Sequence, residues 1–205
     1  MSILPKWAEV ILIPLISLTL SFLISALVIV AIGEDPIAAL LLMIDGAIGS
    51  TYGWGYTLYY ATNFIFTGLA VSVAFHARMF NIGGEGQALL GGLGVATVCL
   101  AFNWPHWSLA LIAASLGAMV FGAFWALIPA YLQARRGSHI VITTIMFNFI
   151  AASLLNYLLV NVFRPEGSMD PATRKFSENA HLPTLHEMLA NVGIPFSKAA
   201  PANIS

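Results

Sequence analysis

Long runs of apolar residues constrain the fold of this chain more than any other feature. Val10–Ile32 contains no charged residue from end to end, and a bilayer crossing needs about 20 apolar residues. Lys, Arg, Asp and Glu together make up only 8% of the chain, whereas they make up about 25% of an average soluble domain. With so few charges a soluble fold could not cover its own core, so the runs predict membrane-spanning helices.

Five runs of this kind predict an all-α, polytopic transmembrane domain over residues 1–163. The predicted spans cover about residues 10–32, 56–75, 79–102, 107–132 and 140–163. A shorter apolar segment, 36–49, cannot cross, but Asp35 and Pro36 suit the N-cap and the first position of a helix. We expect this segment to form an interfacial or re-entrant helix.

Basic residues in the short loops predict the orientation of the chain. Under alternating topology they all lie on one side of the membrane: Lys6, Arg78, Arg135 and Arg136. The opposite loops, 33–55 and 103–106, contain no Lys or Arg, so the positive-inside rule predicts a cytoplasmic N-terminus. The proline-rich residues 164–205 would then form an external loop, and we expect this loop to lead into a second half that the sequence does not contain.

Signatures of soluble enzymes and of metal sites are missing from the sequence. It contains no Walker A loop, no HExxH and no CxxC, and its 5 histidines are too scattered to share a metal. Cys99 is the single cysteine and can form no internal disulfide. The net charge of -1 gives no basic patch for nucleic acid. We therefore expect no catalytic residue, no metal and no bound cofactor in this chain.

A glycine-rich block, Phe80–Gln87, is the densest polar feature inside the predicted spans. Asn81, Glu85 and Gln87 stand among three glycines, and a charged side chain at the bilayer centre costs roughly 2.5–3.5 kcal/mol on insertion scales. One interpretation is that the glycines allow tight helix contact while Glu85 caps or pairs locally. The other is a broken helix whose polar groups face a water-filled path, and the two are compatible.

Two polar stripes on different spans suggest a shared interior surface. Asn63 and Thr67 follow Tyr59 at four-residue spacing on span two, and Thr144 and Asn148 have the same spacing on span five. Either interhelical hydrogen bonds or a path for a polar solute would explain the stripes. The candidate path residues are thus Asn63, Thr67, Asn81, Glu85, Gln87, Thr144 and Asn148.

Span four carries a small residue at every fourth position. A helical face of small residues lets another backbone approach closely, so we expect helix packing there. The residues are Ala114, Ala118, Gly122, Ala126 and Ala130.

Three segments of the chain resemble a known family. Thr67–Phe75, the Asn-Ile-Gly-Gly-Glu-Gly-Gln sequence at 81–87, and Val141–Ala151 look like the permease subunit of bacterial ABC importers for nucleosides and simple sugars. The resemblance covers roughly residues 36–175 and extends to the broader group of branched-chain amino acid and ribose permeases. Arg-Ala-Gly often precedes the glycine-rich block in that family, whereas this chain has His76-Ala77-Arg78 at that place.

The resemblance implies a helical pore in the bacterial plasma membrane that works by alternating access and does no covalent chemistry. Its expected partners are a cytoplasmic ABC ATPase, which uses the ATP, an extracytoplasmic solute-binding protein, and a second permease subunit of the same or a different sequence. The implied solute is a nucleoside or a simple sugar. The alternative is a secondary transporter or channel in which Glu85 couples transport to an ion or a proton.

Overall fold

The computed structural model describes Pro5 and residues 7–201, which are helical along most of their length. Its main helices are α1 (Ile13–Ala31, preceded by a π-helical turn at Ala8–Leu12), α2 (Pro36–Ile48), α3 (Thr51–His76), α4 (Gly84–Ala101), α5 (Trp107–Arg136), α6 (Ile140–Asn161) and a short α7 (Leu185–Ala190). The segment Ala8–Ala31 and helices α3 to α6 are long and apolar enough to cross a membrane. The prediction of an all-α, polytopic chain is confirmed. Lys6 and residues 202–205 lie outside the described residues.

The chain divides into two compact units, residues 1–57 and 58–205. In the first unit, α2 begins as the sequence predicts. The side chain of Asp35 accepts a hydrogen bond from the amide of Ile37 at 2.8 Å, and Pro36 occupies the first helical position, where its missing N–H costs nothing. The cap of α2 is therefore supplied by Asp35, the residue directly before the helix.

Helix α3 begins earlier than the predicted second span, because its first turn has a local cap. The hydroxyl of Ser50 accepts a hydrogen bond from the amide of Gly53 at 3.0 Å. Gly53 lies against the backbone of Gly46 at the end of α2, where a Cβ atom would collide with the Gly46 carbonyl. The hydroxyl of Thr57 then donates to the carbonyl of Ala47 at 2.9 Å. Residues 51–55, which precede the predicted span, are thus part of the helix.

The core of the second unit lies between α4, α5 and α6. Leu90 and Leu93 of α4, Trp125 of α5 and Ala151 of α6 form its buried cluster. Helices α4 and α5 are in close backbone contact where Gly94 and Gly117 face each other. A Cβ atom on Gly117 would lie 2.9 Å from the Gly94 carbonyl oxygen and 2.7 Å from a methyl group of Val98, so only a residue without a side chain fits there.

The small residues of the predicted packing face on α5 do not all lie at this contact. Ala114 is buried, and the Cβ position of Gly122 lies 3.4 Å from the carbonyl oxygen of Gln87. Ala118 and Ala126 are half-buried, whereas Ala130 is exposed. Each four-residue step turns about 40° beyond a full turn of an α-helix. A row at this spacing therefore rotates by about 160° between Ala114 and Ala130, which carries Ala130 away from α4.

The segment after α6 packs against α5 and near the end of α4. A 3₁₀ turn at Glu178–Ala180 contacts α5. Residues 174–177 line a polar cavity of about 250 Å³ together with Cys99, Leu100, Phe102 and Asn103 at the end of α4. These contacts place residues 102–103 and 174–177 at the same end of the α4–α6 bundle.

Candidate functional site

The glycine-rich block is a turn followed by a helix start, rather than part of one continuous helix. Helix α3 ends at His76, α4 begins at Gly84, and residues 79–83, which were predicted to open span three, are not helical. The turn begins with Arg78 in the left-handed region, at φ 56°. The Met79 amide donates to the Ala74 carbonyl at 3.0 Å, which is the hydrogen bond of a Schellman cap.

The first turn of α4 receives its cap from α6. Gly83, at the N-cap, has no side chain, and the side-chain oxygen of Asn148 accepts a hydrogen bond from the Gly86 amide at 2.9 Å. The side-chain nitrogen of Asn148 donates to the Ile82 carbonyl, also at 2.9 Å. One carboxamide thus satisfies a backbone group on each side of the helix start. Within the turn, the side chain of Asn81 accepts a bond from the Gly83 amide at 2.8 Å.

Two glycines of the block leave room for this arrangement. A Cβ atom on Gly86 would lie 3.0 Å from the side-chain oxygen of Asn148, 3.0 Å from the indole nitrogen of Trp125 and 3.2 Å from the Cβ of Ala151. A Cβ atom on Gly83 would lie 3.2 Å from the Cβ of Thr144. Thr144 and Asn148 therefore lie on one side of the block, against its backbone.

Thr144 is the largest fully buried side chain in the described chain, with 1% of its surface exposed. Its hydroxyl lies 2.8 Å from the Ile140 carbonyl one turn earlier in α6. This bond satisfies the hydroxyl within its own helix. The structure places Thr144 in the packing behind the block, and no open surface reaches it.

On the other side of the block lies an open cleft between α3 and the start of α4. Its volume is about 470 Å³. The residues that line it are Phe66, Thr67, Ala70 and Val71 of α3, with Asn81, Gly84, Glu85, Gln87 and Ala88. Four predicted path residues thus share one cleft: Thr67, Asn81, Glu85 and Gln87. Asn63 lies one turn away on α3, where its side chain donates to the Tyr59 carbonyl at 3.1 Å.

The cleft combines an apolar wall with hydrogen-bonding groups. Phe66 and Val71 are apolar, whereas Thr67, Asn81 and Gln87 carry hydroxyl and amide groups. Glu85 lies in the first turn of α4, where the helix dipole favours a negative group, and it forms no ion pair within residues 5 and 7–201. Such a surface offers acceptors and donors to a polar solute, and a flat apolar face to a ring.

One residue at this site, Trp125 of α5, was not predicted from the sequence. Only 7% of its surface is exposed, and its ring packs on Phe147 of α6 with the centroids 5.4 Å apart. Trp125 stands in an apolar stretch, so its sequence context is that of an ordinary core or lipid-facing aromatic residue. Only the fold brings its indole nitrogen beside Gly86 and Asn148.

Comparison with known proteins identifies relatives among ABC transporter permeases. The guanosine ABC transporter permease protein NupP of Bacillus subtilis is 37% identical over 83% of this chain and 48% of its own length. The glucose ABC transporter permease protein TsgB13 of Haloferax volcanii is 35% identical over 84% of this chain and 45% of its own length. The nucleoside ABC transporter permease protein NupB of Lactococcus lactis is 35% identical, and the corresponding shares are 80% and 45%.

The chain spans about half the length of the curated relatives that it matches. No solved structure matches it significantly. A family profile described as the permease component of branched-chain amino acid transport systems matches residues 53–187. That range includes α4, α5, α6 and the whole glycine-rich block. The chain is therefore a multi-pass membrane protein that belongs to this family of transport-system permease components.

Proposed function

We propose that this chain forms part of the pore of an ATP-driven importer, and that the cleft between α3 and α4 is a section of the solute path. The observation that carries the proposal is the cleft itself. It brings Thr67, Asn81, Glu85 and Gln87 together beside non-helical backbone. Such backbone at membrane depth is tolerated where it is buried in protein or lines a water-filled cavity, and discontinuous helices commonly form solute sites in transporters.

The seven predicted path residues take different parts in this proposal. Thr67, Asn81, Glu85 and Gln87 contact the solute, and Asn63 extends the polar stripe along α3. Asn148 and Thr144 support the cleft wall from the far side of the block. The burial of Thr144 and the bonds from Asn148 to the backbone of the block support this division of roles.

The solute that fits best is a nucleoside or a simple sugar. Hydroxyl groups of a sugar can donate to Glu85 and to the amide oxygens, and a base can lie on the ring of Phe66. Two of the similar permeases are named for guanosine or nucleosides and one is named for glucose. The names of these relatives support the class of solute. The residues that line the cleft favour a ring with polar groups over a purely apolar molecule.

The proposed importer contains three further components. A cytoplasmic ABC ATPase binds and hydrolyses the ATP, so that this chain needs no cofactor of its own. An extracytoplasmic solute-binding protein delivers the solute, and a second permease subunit, identical or different, completes the pore. The proposed location is the bacterial plasma membrane with the N-terminus in the cytoplasm, since Arg135 and Arg136 close α5 and Arg78 follows α3.

Replacing Glu85 by Gln in the assembled importer tests the path. We expect uptake of labelled nucleoside or sugar to fall by roughly tenfold or more, which corresponds to losing about 1.4 kcal/mol of stabilisation of the solute during transfer. Glu9→Gln is the matched control, because Glu9 is exposed at the start of the chain and outside the cleft lining. Unchanged uptake by Glu85→Gln at normal expression would remove Glu85 from the path.

The energy source is tested in the same assay. Uptake that stops when the partner ATPase is inactivated, and that survives collapse of the proton gradient, supports the importer. Uptake that persists without the ATPase but follows the gradient would instead make the chain a secondary transporter with Glu85 as its coupling group.

A further inference from the structure

The indole N–H of Trp125 is a buried donor without an acceptor. It has no hydrogen-bond partner among the described residues, although only 7% of Trp125 is exposed. A buried tryptophan N–H usually finds a partner, because leaving a buried donor unpaired costs free energy. An unpaired group of this kind in a well-packed helix bundle calls for an explanation.

An acceptor with spare capacity lies beside the same glycine, Gly86. The indole nitrogen of Trp125 and the side-chain oxygen of Asn148 are each 3.0 Å from the position that a Cβ of Gly86 would occupy. The two atoms are therefore separated by at most twice that distance. The Asn148 oxygen accepts one bond, from the Gly86 amide, and a carboxamide oxygen has two lone pairs.

We propose that Trp125 and Asn148 form a positioning pair for the transport step. In one state of the transport cycle the indole N–H of Trp125 donates to the side-chain oxygen of Asn148. The state described here has this bond open. Because Asn148 holds the start of α4 through Ile82 and Gly86, closing the bond would tie α5 as well as α6 to the wall of the cleft. The inference rests on the proposed function of that cleft.

The lack of a side chain at the N-cap of α4 makes the pair effective. Gly83 occupies that position, so the orientation of Glu85 and Gln87 depends on a group supplied by another helix. Alternating access moves packed helices relative to one another, and a bond that forms in only one state contributes to the balance between states. If the bond forms in only one state, the indole N–H of Trp125 has no partner in the other state, as in the structure described here.

Replacing Trp125 by Phe removes the N–H and keeps an aromatic ring. In the assembled importer we expect the maximal uptake rate to fall roughly 3- to 10-fold, which is the worth of one net hydrogen bond. The solute concentration that gives half-maximal uptake should stay unchanged, and the unfolding temperature should stay equal or rise, since a buried unpaired donor is removed. Phe147→Leu is the matched control, because it disturbs the same ring contact without touching the N–H. It should lower the unfolding temperature and leave uptake per folded molecule intact.

Wild-type uptake by Trp125→Phe would overturn the proposal. So would a loss in both variants that only follows the amount of folded protein, because packing alone would explain it. If wild-type importer transports neither nucleoside nor sugar, the proposed function fails instead.

A measurement on the wild-type protein covers the case in which Trp125→Phe does not reach the membrane. The indole N–H resonance of Trp125 is recorded by NMR in the assembled importer with and without ATP. A downfield shift in one of the two conditions is expected, because a hydrogen bond deshields the proton. Identical resonances in both conditions would overturn the proposal.

Discussion

Helices α2 and α4 both begin next to a short turn, but their first amides are satisfied in different ways. Helix α2 uses Asp35, its own N-cap residue, followed by Pro36. Helix α4 has Gly83 at the N-cap and receives its cap from Asn148, which lies 62 residues from Gly86 in the sequence. The first helix start is specified locally and the second only in the folded protein. Because Asn148 of α6 caps α4, a movement of α6 would also move the start of α4. Such coupling suits the wall of a solute path.

The largest effect should come from Asn148→Leu, which removes the external cap. We expect unfolding of the purified protein to become easier by about 2–3 kcal/mol, because the Gly86 amide and the Ile82 carbonyl both lose their partner. Asn156→Leu on the same helix is the control, since Asn156 is exposed and makes no side-chain hydrogen bond within the described residues. Asp35→Ala should cost only about 1 kcal/mol. Equal costs at Asn148 and Asp35 would remove the contrast between the two helix starts.

A smaller effect is expected from Gly86→Ala, which crowds the cap without removing it. The new methyl group would meet Asn148, Trp125 and Ala151, and overpacking of this kind costs about 1–3 kcal/mol. Gly92→Ala is the matched control, because its Cβ would meet no other part of the described chain within 4 Å. That change should be neutral or stabilising, since Ala favours helix over Gly. Thermal unfolding of both variants checks the pair, and a tolerated Gly86→Ala would argue against close packing at the block.

The smallest effect, which is a stabilising one, is expected from Arg78→Gly at the turn before the block. Arg78 adopts φ 56°, which favours glycine and costs an L-residue about 1 kcal/mol. Glycine adopts this conformation without a steric cost, which suits it to the left-handed position of a Schellman cap. We expect the variant to unfold at a higher temperature, with insertion topology checked in parallel because one basic residue is lost. A lower unfolding temperature would show that Arg78 makes a compensating interaction.

The features that could be predicted from the sequence are those that depend on residues adjacent in the chain. Apolar runs indicated the spans, and Asp35-Pro36 indicated the start of α2. The start of α4 was placed five residues too early, because continuous hydropathy does not reveal that Asn148 ends the turn at Gly83. The contact between Gly94 and Gly117 was missed for a similar reason. The row of small residues on α5 could be recognised in the sequence. Which face of α5 packs against α4, however, depends on where the two helices cross.

Of the candidate path residues predicted from the sequence, only some line the cleft. Polar residues inside spans identified Thr67, Asn81, Glu85 and Gln87, which the fold brings to one cleft. The same criterion selected Thr144 and Asn148, which lie behind the cleft wall. Residue type alone cannot separate a side chain that faces a solute from one that satisfies backbone, because both roles need the same hydrogen-bonding groups. Trp125 had no polar neighbours in sequence to indicate its place.

The central claim is that a hydrophilic solute reaches the cleft between α3 and α4, and labelling of Thr67→Cys tests it most directly. Thr67 lines the cleft and is exposed, and Cys99→Ala removes the only other thiol. In the assembled importer, a charged water-soluble thiol reagent should label Cys at this position, and transported nucleoside or sugar should slow the labelling. A thiol that reacts only with membrane-soluble reagents would place the cleft in lipid. A thiol that the charged reagent labels equally fast with and without solute would place the cleft off the solute path. Either result would contradict the account.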